Sequence, residues 1–344
     1  MKYISVIMMA LLISIASCGK NETKPAAKVA PSNLVVNAVV SADSSGAVTF
    51  TAVAENAVTY DYDFGNGTYQ TVANGIANYS YTVVGHHSYT VTVTAKSADG
   101  LVISKSIQVA VNVSALLWSD EFNTDGPPDP KKWGYDIGTG DNGWGNAEAQ
   151  YYTNRPENVT VANGILKITA IKENYAGSAY TSTRMLTKDK FSFKYGKIEV
   201  SAKLPAGGGT WPAIWMLGSN ITTAGWPACG EIDIMEHKGN VPNKIYGTLH
   251  HPNHSGANGD GSTLMITNAT TAFHKYAVDW SPTLIRFYVD DQLFYTFTNT
   301  GSLPFNQHFF VIFNFAIGGN FGGAIDPAFT SASMEVDYIR VYKN

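Results

Sequence analysis

Three acids, Glu231, Asp233 and Glu236, fall within six residues of an otherwise apolar stretch, Glu231-Ile232-Asp233-Ile234-Met235-Glu236. On a helix of ~3.6 residues per turn, Glu231 and Asp233 would face opposite ways and Glu236 would share a face with neither. On a regular strand side chains alternate, so Glu231 and Asp233 share a face while Glu236 points with the isoleucines into the core. An unpartnered carboxylate there is costly. One extra residue, a β-bulge at Ile234-Met235, returns Glu236 to the face of the other two. The segment is therefore predicted as a bulged strand with three carboxyls on one face, and a regular ladder with Glu236 buried would contradict that reading.

Two carboxyl groups about 5–5.5 Å apart meet the requirement for retaining cleavage of a glycosidic bond, one as nucleophile and the other as acid, then base. With the bulge absorbing one residue, Glu231 and Glu236 stand ~13 Å apart at Cα. Two glutamates leaning inward over the shorter Asp233 close most of that gap. Asp233 can hydrogen-bond one partner, and its charge would help to hold the proton on whichever glutamate serves as the acid. Metal binding is the competing chemistry. Hard cations want more oxygen ligands than three acids supply. Zinc would draw on His237, His250, His251, His254 and Cys229, among which no tight ligand spacing emerges. A solvated acidic edge strand is disfavoured by Ile232, Ile234 and Met235.

The elements that must position these acids follow from the surrounding pattern. All seven tryptophans lie beyond Ser114, at 118, 133, 144, 211, 215, 226 and 280. Trp211 and Trp215 share strand parity, Trp226 leads into Glu231, and Trp118, Trp133 and Trp280 read as packing. At Gly145-Asn146-Ala147-Glu148-Ala149-Gln150 polar residues alternate with alanine. A strand there would put Asn146, Glu148 and Gln150 on one face beside Trp144 and Tyr151-Tyr152, a mixed surface suited to sugars. Strands are also predicted at 165–170, 196–202, 284–297 around an Asp290-Asp291 turn, 309–315 and 334–342, with no long amphipathic helix. Residues 115–344 thus read as one large antiparallel sandwich or barrel.

The chain has 344 residues, 44% of them hydrophobic, and a net charge of −4 without a basic run. Two domains are expected, and neither nucleic acid nor an anionic membrane surface is suggested as a partner. Residues 1–18 combine Lys2, an apolar run and Ile15-Ala16-Ser17-Cys18, which reads as an export signal. Its end resembles the lipobox of bacterial lipoproteins, with Cys18 as the lipidated residue and the only membrane attachment. That leaves Cys229 as the sole remaining thiol, so no intrachain disulfide is expected. Residues 19–31 read as a disordered tether. Short alternating strands over 32–113 predict a small Ig-like β-sandwich. Tyr62-Asp63-Phe64-Gly65-Asn66-Gly67-Thr68 resembles the turn of the PKD module, with Asn66 in place of the usual Asp; turn chemistry explains Asp63 and Asn66 better than ion binding.

Beyond Ser114 the sequence resembles glycoside hydrolase family 16, in its laminarinase-like branch. The resemblance rests on 143–152, 210–217, 225–236, Gly247-Thr248-Leu249-His250 and Val336-Asp337-Tyr338-Ile339-Arg340-Val341-Tyr342. It implies an all-β chain whose catalytic domain is a β-jelly-roll with an open cleft. It further implies retaining endo-hydrolysis of β-1,3-glucan by a monomer, with Glu231 as nucleophile, Glu236 as acid/base and Asp233 between them. No cofactor is implied for catalysis. Asn146, Arg184, Trp211, Trp215, Trp226 and His250 fall at positions resembling substrate contacts. Glu121, the Gly164 carbonyl and Asp337 resemble a structural calcium site. Mixed-linkage β-1,3/1,4-glucan or an algal galactan are the alternative substrates, with the Asn253–Ser262 loop deciding; a non-catalytic glucan-binding protein would lack the acids. The address implied is a bacterial outer-membrane or cell-surface lipoprotein.

Overall fold

The structure is a computed structural model that describes residues 27–41 and 44–343. The export signal with Cys18 and most of the tether lie outside the described residues. Two compact units are present. One takes in the described residues up to Val39, Thr49–Tyr79 and Ser88–Val109; the other takes in Val40–Val48, Ser80–His87 and the chain from Ala110 on.

Lying mostly in the first unit, strands Ser32–Val40, Ala47–Glu55 and Ile76–Ser80 make a three-stranded sheet, and Tyr69–Val72, Thr59–Asp63, Gly85–Lys96 and Val102–Val113 a four-stranded one. Alternation along them buries Phe50, Tyr62 and Phe64, whose rings meet at 5.5–6.0 Å. Asp63 and Asn66 do turn work: their side-chain oxygens accept from the backbone N–H of Gly65 and Thr68.

The second unit packs a ten-stranded sheet on a seven-stranded one. The seven-stranded sheet runs in the order Asp260–Met265, Lys244–His250, Glu231–His237, Thr210–Gly218, Phe309–Ile317, Arg184–Leu186, Gly134–Asp136. The strands predicted at 165–170, 196–202, 284–297, 309–315 and 334–342 are present, and Asp290 and Asp291 form the turn between Leu284–Val289 and Gln292–Thr298 with φ of 49° and 66°. The only α-helices among the described residues are single turns at Ile221–Ala224 and Gly319–Gly322. Between the sheets, Trp280 meets Phe309 at 5.2 Å and Trp133 meets Phe313 at 5.2 Å. Ile214, Met216, Val311, Phe313 and Phe315 are fully buried there. Strand parity then sends Trp211, Ala213, Trp215 and Leu217, with Phe310, Ile312 and Asn314, to the other face.

The predicted bulge is present. Against the strand Thr210–Gly218, Glu236 pairs with Ala213, Met235 with Ile214 and Asp233 with Trp215, so Ile234 is the residue without an opposite number. Against Lys244–His250, Asp233 pairs with Thr248 and Glu236 with Tyr246, which leaves Gly247 alone facing Ile234 and Met235. Both are fully buried, and Glu236 rejoins the face of Glu231 and Asp233. Gly247 is required beside this bulge, since a Cβ there would lie 2.8 Å from Phe287 Cδ1 and 2.9 Å from Phe294 Cζ. Gly247→Ala is expected to cost about 1–3 kcal/mol by overpacking, read as a lower urea midpoint with unchanged slope.

One local expectation fails. Gly143–Ala147 is an irregular wide turn, not a strand, closed by bonds from the Ala147 and Glu148 N–H to the Asn142 and Gly143 carbonyls, with positive φ at Asn142, Trp144 and Ala147 as well as at its glycines. The alternating alanines therefore do not set a shared face for Asn146, Glu148 and Gln150. Regular pairing begins only at Gln150–Tyr152.

Candidate active site

Register across the seven-stranded sheet builds the site in rows. Asp136, Arg184, Asn314, Ala213, Glu236 and Tyr246 are successive cross-strand partners. The next row on that face carries Ile312, Trp215, Asp233 and Thr248, and the next Phe310, Leu217, Glu231 and His250. Ala213 and Leu217 lie four residues apart, so the glutamates opposite them are ~13 Å apart at Cα, as the bulge requires.

An indole fixes each glutamate. Trp211 Nε1 donates to Glu236 Oε1 at 3.0 Å, and Trp226 Nε1 donates to Glu231 Oε2 at 2.9 Å. Asp233, 3% exposed between them, shares a hydrogen bond with Glu231, and His250 Nε2 lies 3.1 Å from Asp233 Oδ2 and 3.9 Å from Glu231 Oε1. Burial pushes all three carboxyls up. Asp233 is driven well above the carboxylate range by burial and then by the charge of Glu236. Glu231 rises to about 8, through burial and the charge of Asp233, against the pull of His250 and Trp226. Glu236 rises to about 7, through burial offset by the Trp211 N–H. A proton on Asp233 would remove the charge that raises Glu231 and leave a donor aimed at it.

Linkage gives this cluster a sign. Glu231 and Glu236 hold protons more tightly folded than unfolded, so stability is full below about 4.5 and is lost as pH rises through about 7 to 8. His237, fully buried on the core side, has its pKa lowered to about 4 by burial and contributes the opposite slope on the acid side. Glu231→Gln is therefore expected to stabilise the protein at pH ~8 by at least about 1 kcal/mol, and by little at pH ~5, one pKa unit being worth ~1.4 kcal/mol. Thermal unfolding at both pH values measures the difference.

The structure brings most predicted substrate residues to this face. Trp211, Trp226 and His250 touch the acids, and Trp226 remains 49% exposed, open to a ligand. Trp215 Nε1 donates to Asn314 Oδ1 at 2.8 Å, while the Arg184 guanidinium lies 4.8 Å from the Trp215 ring and 4.5 Å from Trp144, tied to Asp136 at 3.0 Å. Asn146 is half-buried in the turn beside Trp144. Glu148 and Gln150 are buried rather than sugar-facing: Glu148 Oε2 accepts from Gln150 Nε2 at 2.7 Å and from the Tyr152 hydroxyl at 2.9 Å. Asn314 Nδ2 donates to that same hydroxyl at 2.9 Å, which carries the network to Trp215. Asn314, Tyr246, Lys238 and Phe321 escaped sequence reasoning. Phe321 packs on Trp211 at 5.2 Å with the Lys238 ammonium 4.0 Å from its ring. Only parity in the run Phe309–Ile317 could have flagged Asn314, the one polar residue in it.

Of the residues expected to form a calcium site, Glu121 is held by another side chain. Glu121 gives both carboxylate oxygens to Arg340, at 2.9 and 2.8 Å, so a guanidinium already supplies the positive charge there. Cys229 is a free, buried thiol among the described residues.

A two-sheet β-sandwich with three neighbouring carboxyls on an indole-lined face is the construction of a glycosidase. The family model for glycosyl hydrolases family 16 matches residues 146–340. A beta-glucanase of Rhodothermus marinus is 47% identical over 244 residues, 66% of this chain and 85% of that protein. Glucan endo-1,3-beta-glucosidase A1 of Niallia circulans is 39% identical over 257 residues, 66% of this chain but 38% of that longer protein. The laminarinase catalytic domain of Thermotoga maritima superposes with a TM-score of 0.64 at 42% identity, over 67% of this chain and 98% of that domain. The chain belongs to glycoside hydrolase family 16, and its second unit has that family's jelly-roll fold.

Proposed function

We propose that the protein is an endo-β-1,3-glucanase that cleaves internal bonds of laminarin-type glucans with retention of configuration. The observation that carries this is the trio itself: Glu231 and Glu236 on one face, each held by an indole N–H, with Asp233 between them. In the first step the Glu231 carboxylate attacks the anomeric carbon while the Glu236 carboxyl gives its proton to the departing glycosidic oxygen. The shortened chain leaves, and a glycosyl ester remains on Glu231. Glu236, now a carboxylate, takes a proton from water, whose oxygen displaces Glu231 and restores both groups. Asp233 positions Glu231 throughout. Exposed Trp226 offers a ring face to a pyranose beside the nucleophile. The names of the relatives support β-1,3 linkages as the target. Product analysis on laminarin, lichenan and agar tests this: laminarin should be degraded to oligosaccharides fastest, and preferential cleavage of agar would overturn it.

For the rest of the chain we propose a surface-exposed lipoprotein anchored through Cys18, with the N-terminal β-sheet unit acting as a PKD-like spacer. Cys18→Ala should move the protein from the membrane fraction to the soluble one; unchanged membrane association would refute the anchor.

A further inference from the structure

Immediately after His250 the chain turns back on itself. His251 and His254 exchange both backbone hydrogen bonds, at 2.8 and 2.9 Å, around Pro252 and Asn253. That closure holds the two imidazoles face to face, centroids 5.2 Å apart and planes 13° from parallel. Asp260 arrives from the neighbouring strand, opposite Leu249. Its Oδ2 lies 2.9 Å from His251 Nε2 and its Oδ1 2.7 Å from His254 Nδ1. Behind the cluster His251 is buried against Phe297 and Phe305, at 6.2 and 5.9 Å, whereas His254 opens to solvent.

We propose that His251, His254 and Asp260 form a binding site for a divalent transition-metal ion of the zinc class. Two imidazole nitrogens and one carboxylate, with solvent completing a tetrahedron, are a familiar zinc donor set, whereas two nitrogens and so few oxygens do not suit calcium or magnesium. Ligand atoms ~2.0–2.1 Å from zinc stand about 3.3 Å apart in a tetrahedron. The separations to Asp260, one to each carboxylate oxygen, are a few tenths of an ångström shorter, and one donor atom from each of the three residues lies within 4.8 Å of the other two, so turning the imidazoles about their side-chain bonds is what must aim both lone pairs at one ion. Two of its three donors are already oriented by backbone pairing, and the third comes from a strand end. This set was invisible to a search for tight spacing among His237, His250, His251 and His254, because His250 faces Asp233 and the third ligand comes from the adjacent strand.

The site also bears on the cleft. Gly259 directly precedes Asp260, and a Cβ there would lie 2.7 Å from His250 Cε1 and 2.8 Å from Nδ1. The loop backbone therefore rests on the histidine that contacts Asp233, and an ion holding Asp260 holds that backbone in place.

The test is metal binding by the whole protein, stripped with chelator, dialysed and titrated with Zn2+. One Zn2+ per chain and a raised thermal midpoint are expected, with a four-coordinate visible spectrum when Co2+ replaces it. His254→Ala and Asp260→Asn should each weaken binding by at least about 10-fold and abolish the thermal shift. His254 is exposed, so its variant should match the parent midpoint in chelator. His274→Ala, which breaks the separate His274–Asp290 pair, and Glu231→Gln should both keep the ion. Absence of stoichiometric zinc in the parent would reduce the cluster to a hydrogen-bonded staple and overturn the proposal. So would zinc that survives His254→Ala but is lost in Glu231→Gln, which would place the ion among Glu231, Asp233 and His250.

Discussion

Glu231→Gln should lower kcat on laminarin by at least about 10⁴-fold, the scale of losing a nucleophile. The amide keeps an oxygen to accept from Trp226 Nε1 and fills the same space beside Asp233. What it lacks is the negative charge and the lone pair that form the glycosyl ester. Reducing-sugar release measures the loss, and thermal unfolding should show a folded protein that is more stable at alkaline pH. Turnover unchanged in this variant would remove Glu231 from the mechanism.

Glu236→Gln is expected to cost about 10²–10⁴-fold, the range for a positioned acid/base. Here the leaving group discriminates. An aryl glucoside with an acidic phenol needs no proton to depart, so glycosylation of Glu231 should be slowed far less with it than with laminarin. The pH profile carries a second signature. Glu236 is pushed up to about 7 by burial despite the Trp211 N–H, so activity of the parent should fall as pH rises past that region. The variant should lack that limb. A Glu236 that merely props up the cleft would slow both substrates alike and leave the limb in place.

Much of this site was legible because period-two geometry is unforgiving. Once Ile232 and Ile234 are assigned to a core, Glu236 has nowhere to go without an extra residue, and the structure puts both Ile234 and Met235 in the core to release it. Trp211 and Trp215 followed from parity on a strand whose opposite face is Ile214 and Met216. The misreading at Gly143–Ala147 has an equally physical source. Left-handed backbone at Asn142, Trp144 and Ala147 is unfavourable alone and is held by tertiary contacts such as the Arg184 guanidinium on Trp144. Glu148 then serves as a buried acceptor, a role that becomes visible only when Gln150 and Tyr152 are placed around it. Glu121 shows the same limit, since its partner Arg340 lies 219 residues away and no local pattern announces the pairing.

The most direct test of the central claim, double displacement through Glu231 and Glu236, is the configuration of the first product. Proton NMR during the earliest turnovers on laminarin should show the β-anomer of the new reducing end appearing first and the α-anomer only later, by mutarotation. Initial release of the α-anomer would mean a single inversion by water, and would contradict a glycosyl ester on Glu231.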